Sequence, residues 1–325
     1  MQKRLIEKAL ELLENGTVDR VLGWKAGDFF YDLTPGVFRT PEELRRDFRF
    51  TPFSGANLSK YLIAESRKGG KVAVFLKPCD SYSAVQLLKE HRISRENVYF
   101  IGVQCDGMCG IDNLRALGCD GVTAVREEGE NLIADTLYGP KTLARRDALL
   151  ERCKVCKSKK IVLFDELIGE QGQDLPSDRF DAVARLEAMT PEERYAFWQE
   201  ELSKCIRCNA CRNVCPACSC EKCVFDNPES GVRNKGAADS FEESLFHIIR
   251  AFHVAGRCTD CGECSRVCPQ HIPLHLLNRK FIKDINELYG PYQAGADFDS
   301  RSPLTDFRKD DCEPSVVAER GGNRA

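Results

Sequence analysis

Eight cysteines of this chain obey one rule. Cys205, Cys208, Cys211 and Cys215 read C-x2-C-x2-C-x3-C, with Pro216 next; Cys258, Cys261, Cys264 and Cys268 repeat the pattern, with Pro269 next. Cys258 stands 53 positions after Cys205, and Cys268 stands 53 after Cys215. Three thiolates at intervals of three can converge from one tight loop onto three irons of a cubane. The fourth begins the next helix, points away and serves the other cluster. A proline behind it fixes φ where no N–H bond is lost. By that crossing one 4Fe-4S cluster takes Cys205, Cys208, Cys211 and Cys268, and the other takes Cys258, Cys261, Cys264 and Cys215. Zinc sites use pairs of C-x2-C rather than triples closed by Cys-Pro.

Other cysteines lie outside this rule. Cys218, Cys220 and Cys223 form C-x-C-x2-C directly behind the first run. They are either ligands of a further centre, completed by a residue such as Cys119 or Cys312, or free thiols beside the clusters. In the N-terminal half, Cys79 follows the apolar run "VAVFLKP" and Cys105 follows "YFIGVQ". Cys153 and Cys156 form a C-x2-C before "IVLF". Ligands collect at the carboxyl ends of strands in α/β sheets. Cys79, Cys105, Cys153 and Cys156 are therefore expected to hold a third cluster, with Cys109 competing for the place of Cys105. The alternative is buried free thiols. Asp80, Asp106 and Asp112 read as turn formers and helix caps.

The elements that must position these thiols fall into two groups. Up to about residue 175, short apolar runs ("KVAVFL", "VYFIGV", "IVLF") alternate with helical stretches, which predicts an α/β domain with a mostly parallel sheet. "MQKRLIEKALELLENG" is expected to be a helix with Leu5, Ala9, Leu12 and Leu13 on one face. Residues 176–290 are expected to form a mainly α-helical, ferredoxin-like dicluster domain. Its helices start at Thr190, with Pro191 and Glu193 in a capping box, and near Ser240, with Glu243. They stop at Gly256 and Gly290. The tail, residues 291–325, is polar and is expected to be poorly ordered unless a partner holds it. His247 and His253, within the second of these helices, read as packed residues rather than ligands. Arg207, Arg212, Arg257 and Arg266 are either counter-charges to the clusters or solvated surface.

Composition narrows the function classes. Cysteine accounts for 18 of 325 residues, and the N-terminus carries no apolar core of signal-peptide length. That argues against a disulfide framework and for metal-bound thiols in the cytoplasm. Lys and Arg number 47 and Asp and Glu 50, a net charge of −3, which gives no reason to expect a nucleic-acid partner. No apolar run is long enough for membrane insertion. There is no dinucleotide fingerprint, P-loop or Ser-His-Asp arrangement. The glycine-rich "GVQCDGMCG" could approach a flavin or phosphate.

"KPCDSYSAVQLLKE", "SRENVYFIGVQCDG" and "CKVC" resemble the beta subunits of deazaflavin-coenzyme-reducing hydrogenases and related formate dehydrogenases. "CIRCNACRNVCPACSC" and "AGRCTDCGECSRVCPQHIPL" resemble the dicluster segment of sulfhydrogenase beta subunits and of the anaerobic sulfite reductase A subunit. Together the resemblance spans roughly residues 20 to 290. It implies an electron-input subunit working beside a flavoprotein, hydrogenase, formate dehydrogenase or heterodisulfide-reductase-type partner. By motif position it also places a cluster on Cys79, Cys105, Cys153 and Cys156. Flavin contacts cannot be matched residue by residue. The expected function is relay of single electrons between a partner's centre and another. The alternative is a flavin-containing subunit that itself exchanges hydride with a deazaflavin or nicotinamide coenzyme. A purely structural iron–sulfur protein ranks last.

Overall fold

Apolar runs bounded by glycine and proline become the strands of one sheet in the N-terminal unit, Met1–Arg179. The computed structural model describes residues 1–227 and 240–305. The second unit is Phe180–Ala325.

In the first unit α1 (Gln2–Glu14) leads to β1 (Arg20–Ala26) and β2 (Leu33–Phe38). Then come α2 (Pro41–Asp47), α3 (Ser59–Glu65), β3 (Val72–Leu76), α4 (Pro78–Lys89) and β4 (Val98–Val103). After α5 (Ile111–Ala116) follow β5 (Val122–Glu128), β6 (Asn131–Thr136) and β7 (Gly139–Ala144). Short α6 (Arg145–Ala148) and α7 (Glu151–Lys154) precede β8 (Glu166–Ile168). The main sheet has the order β2-β1-β3-β4-β8, and only the β1–β2 pair is antiparallel. This is the mostly parallel α/β architecture that the alternation predicts. Every residue of β3 is buried, as expected for a parallel strand covered on both faces. Leu5, Ala9 and Leu12 of α1 join the core around Trp24, Phe48 and Phe75, and Leu13 packs against its edge.

Two features of this unit differ from expectation. "IVLF" is not a strand; β8 begins beyond it, at Glu166. Side chains take its backbone instead. Gln171 Oε1 accepts the Ile161 N–H at 3.0 Å, and Ser81 Oγ accepts that of Val162 at 3.1 Å, so no ladder forms there. Strands β5 to β7 make a separate antiparallel meander that the sequence does not announce. Only Leu132 and Ala134 of its three strands are fully buried, too few for a clear alternation.

The regular elements of the second unit, among the described residues, are helices joined by loops: α8 (Asp181–Glu187), α9 (Pro191–Ser203), α10 (Ala210–Asn213), α11 (Ser240–Val254), α12 (Glu263–Arg266) and α13 (Leu274–Tyr289). Thr190 caps α9 as the capping box predicts: its Oγ1 accepts the Glu193 N–H at 3.2 Å, and Glu193 Oε2 accepts the Thr190 N–H at 2.9 Å. Helix α11 packs on α9 and α13. It stops just before Gly256, whose φ of +69° suits glycine. The Ser240 side chain lies outside the described residues, and the Glu243 carboxylate binds Arg207 rather than a helix end. The start of the tail departs from the expected disorder. Tyr292 donates to the Gly256 carbonyl at 2.9 Å, and Ala294 and Ser302 are buried. Residues 306–325, Cys312 among them, lie outside the described residues.

Candidate metal centres

The two cysteine runs share one backbone. Arg207 and Asn209 have φ of +54° and +61°; their counterparts 53 positions on, Asp260 and Gly262, have +60° and +65°. The short helices α10 and α12 begin at the same offset, at Ala210 and Glu263. Two left-handed residues turn the chain between successive cysteines, and Asn and Gly are the types that tolerate this region best. The turn also aims amides at sulfur. The Arg207 N–H donates to Cys205 Sγ at 3.4 Å, and the Asp260 N–H does the same for Cys258. Such donors stabilise a thiolate and thus suit a metal-bound sulfur.

The structure brings the first four together. Cys205, Cys208, Cys211 and Cys268 line one cavity, shared with Phe246, His247 and Ile272. Burial pushes the Cys205 thiol up to about 12. In the second set, Cys258, Cys261 and Cys264 each lie within electrostatic reach of Cys215. Burial drives all three thiols up, Cys264 to about 11. Cys215 goes the other way, to about 5. The Cys218 thiol beside it is the largest cause, joined by Arg250 and the amides of Ala217 and Cys218. Sulfurs so crowded and desolvated are poor anions alone and call for a cationic core. Four thiols line the first cavity, a donor set that fits an iron–sulfur core.

His247 was expected to be a packed residue; it is 1% exposed, and its Nε2 stands 3.3 Å from Cys205 Sγ. Burial, then Arg250 and Arg207, hold it down to about 3, so the ring is neutral. Cys205, Glu243 and His247 present ligand atoms within 4.8 Å of one another. Arg207 occupies that carboxylate at 2.6 Å, which makes the group a hydrogen-bonded surround of the thiol. His253 is exposed. Of the four arginines singled out by sequence, Arg207, Arg212 and Arg266 are paired with Glu243, Asp226 and Glu263. Arg257 donates to Ser219 Oγ and the His253 carbonyl, each at 3.2 Å. The buried cation facing the thiols is Arg250, which sequence reading passed over. Its signal was a charge on the apolar face of α11, four residues after Phe246 and four before Val254, both buried. Cys218 lies against Cys215, Cys220 is exposed, and Cys223 is held near Arg212. Cys119 is buried in the core of the first unit.

In the first unit, Cys79 opens α4 at the carboxyl end of β3, Cys105 follows β4, and Cys153 lies on α7. Cys79 lies within electrostatic reach of Cys105, and Cys105 of Cys153. Cys109 is buried and feels both Cys153 and Cys105. Burial is the largest cause of the raised thiols at Cys79, Cys105 and Cys109, the last reaching about 12. Cys105 Sγ accepts the Gly107 N–H at 3.4 Å, and Cys153 Sγ accepts that of Met108 at 3.4 Å. Gly107 needs its freedom: φ is +101°, and a Cβ there would meet Leu149 Cδ2 at 2.8 Å. Cys156 donates to the Ser158 carbonyl at 3.2 Å. Lys77, Arg152 and Lys159 supply positive charge near Cys79 and Cys105. Asp80 caps α4 as expected and forms a buried ion pair with Lys77 at 2.9 Å.

Residues 201–272 match the family model for a 4Fe-4S dicluster domain. The second unit thus carries a 4Fe-4S dicluster domain. The chain's homologues include beta subunits of F420-dependent formate dehydrogenase. That of Methanocaldococcus jannaschii is 26% identical over 92% of both chains. The subunit of formate dehydrogenase 1 from Methanococcus maripaludis is 26% identical over 88% of both. A chain of the F420-reducing NiFe hydrogenase complex from Methanosarcina barkeri superposes with a TM-score of 0.40 at 17% identity, covering 63% of this chain and 90% of that one.

Proposed function

We propose that this chain is the iron–sulfur electron-transfer subunit of a multi-subunit oxidoreductase of the formate dehydrogenase or hydrogenase type. The observation that carries the reading is the single cavity lined by Cys205, Cys208, Cys211 and Cys268, in which the last cysteine of the second run completes the first. In this reading Cys205, Cys208, Cys211 and Cys268 hold one cluster, and Cys258, Cys261, Cys264 and Cys215 the other. Cys79, Cys105, Cys153 and Cys156 hold a third, with Cys109 as the competitor for the place of Cys105. Bound clusters supply reversible one-electron storage. The protein's own residues fix the sulfurs, exclude water from most of them and aim amides and side-chain donors at them. No helix of the described residues is long and apolar enough to cross a membrane, and the cysteine usage favours the cytoplasm.

Iron per chain tests this. Anaerobically isolated protein is expected to carry ~12 irons, at four per cubane. A value near ~8 would leave the N-terminal cysteines without their cluster. C208A and C261A are each expected to lose about four irons and to stop electron flow through the parent complex. Undiminished partner-linked turnover in either variant would sink the relay reading. The relatives' names carry F420 dependence, which favours a second reading in which this subunit itself exchanges electrons with F420, through a flavin of its own. It requires bound flavin that bleaches when the isolated chain meets reduced F420.

A further inference from the structure

One buried cation stands between the two thiol sets of the second unit. Arg250, on α11, is 3% exposed. Its Nη2 donates to the carbonyl of Cys211, of the first set, at 3.2 Å. Its guanidinium also donates to the thiol of Cys264, of the second set. Cys215 and Cys218 face it as well. Its Nε has no hydrogen-bond partner among the described residues. Nearby carboxylates are engaged elsewhere: Glu243 holds Arg207 at 2.6 Å, and Glu263 holds Arg266 at 2.7 Å.

A buried guanidinium without a carboxylate is costly and needs other anions. Arginine stays charged at every working pH, so the charge is permanent. The anions within reach are cysteine sulfurs from both sets. We propose that Arg250 is a shared counter-charge for the two clusters, stabilising the added electron at either site and raising both reduction potentials together. The inference rests on the dicluster reading. It explains why Arg250 lies deep beside these thiols, while Arg207, Arg212 and Arg266 of the motifs and the equally buried Arg279 are each paired with an acid. The charge acts from a buried position, where screening is weaker than at the surface. Cluster potentials respond to net charge and to hydrogen bonds at sulfur, and Arg250 supplies both. The electron comes from an external one-electron donor, and Arg250 neither gains nor loses a proton.

The test is a potentiometric titration of the full chain with a low-potential one-electron mediator. Electron paramagnetic resonance of each reduced cluster gives its midpoint. R250Q removes the charge and R250K keeps it. In R250Q both reduction equilibria are expected to fall at least tenfold, ~59 mV for a one-electron couple. In R250K both stay within that margin. A shift at one cluster only, no shift at either, or an equal fall in R250K overturns the proposal and reduces Arg250 to a local hydrogen bond. If R250Q fails to keep its iron, R250K decides: two held midpoints support the shared charge, and a tenfold fall in either overturns it. A wild-type chain without two reducible clusters removes the dicluster reading itself, an outcome recognised by iron content before any variant is made.

Discussion

At the scale of single residues, the sulfurs were legible and their surroundings were not. Cysteine spacing encodes which thiols leave one loop together, because three-residue intervals and a following proline constrain the backbone locally. The partners of those sulfurs come from distant sequence. His247 reaches Cys205 from 42 residues away, and Arg250 reaches the Cys211 carbonyl from 39. No local pattern reports such pairings. One local feature is testable. Asn209 and Gly262 occupy equivalent left-handed positions. N209G should keep its cluster, since glycine adopts that conformation freely. G262V should lose about 1–2 kcal/mol to backbone strain, and its Cys258–Cys264 loop should retain less iron. Equal iron content in both variants would mean that the loop does not depend on that φ.

At the scale of elements, legibility followed burial and capping. Strands β3 and β4 were read correctly because each is a continuous apolar run, and α9 because its capping box is local. "IVLF" was misread because Gln171 and Ser81 take the backbone groups that a ladder would need. The β5–β7 meander was missed because its strands are mostly exposed and polar. Helix α4 carries Cys79 and is pinned by the Lys77–Asp80 pair, with Lys77 Nζ also donating to the Ala56 carbonyl at 2.9 Å and lying 4.3 Å from the Trp24 ring centre. Removing one partner leaves the other charge buried. K77M is therefore expected to cost about 3–5 kcal/mol in the stability of the first unit, measured by denaturant unfolding. A loss below about 1 kcal/mol would show that Asp80 finds another partner. T190A should cost α9 about 1 kcal/mol through its lost cap.

At the scale of the whole molecule, the chain combines two units, each with its own core. That architecture was legible as a change of pattern, from alternating strands and helices to helices alone. The candidate site of the first unit was only partly legible, since Cys79, Cys105 and Cys153 sit on or beside separate elements and their approach depends on the sheet. If they hold a cluster, C105A should remove about four irons and leave the two ferredoxin-type signals unchanged in resonance spectra. Loss of those signals as well would mean that assembly in one unit depends on the other. The formal charge of −3 understates the holoprotein's acidity, because each oxidised four-thiolate cubane adds about two negative charges.

The eight ferredoxin-type cysteines are not equally sheltered: Cys208 alone among them is exposed, and its neighbour Ile206 is 61% exposed. The same opening through which an electron could leave also admits small molecules. Damage should therefore have an order. Under a ferrous chelator or brief contact with air, the site of Cys205, Cys208, Cys211 and Cys268 should bleach first, while that of Cys215, Cys258, Cys261 and Cys264 should survive longer behind its buried sulfurs. Simultaneous loss of both signals would mean that the exposed corner does not set the lifetime of the protein in air.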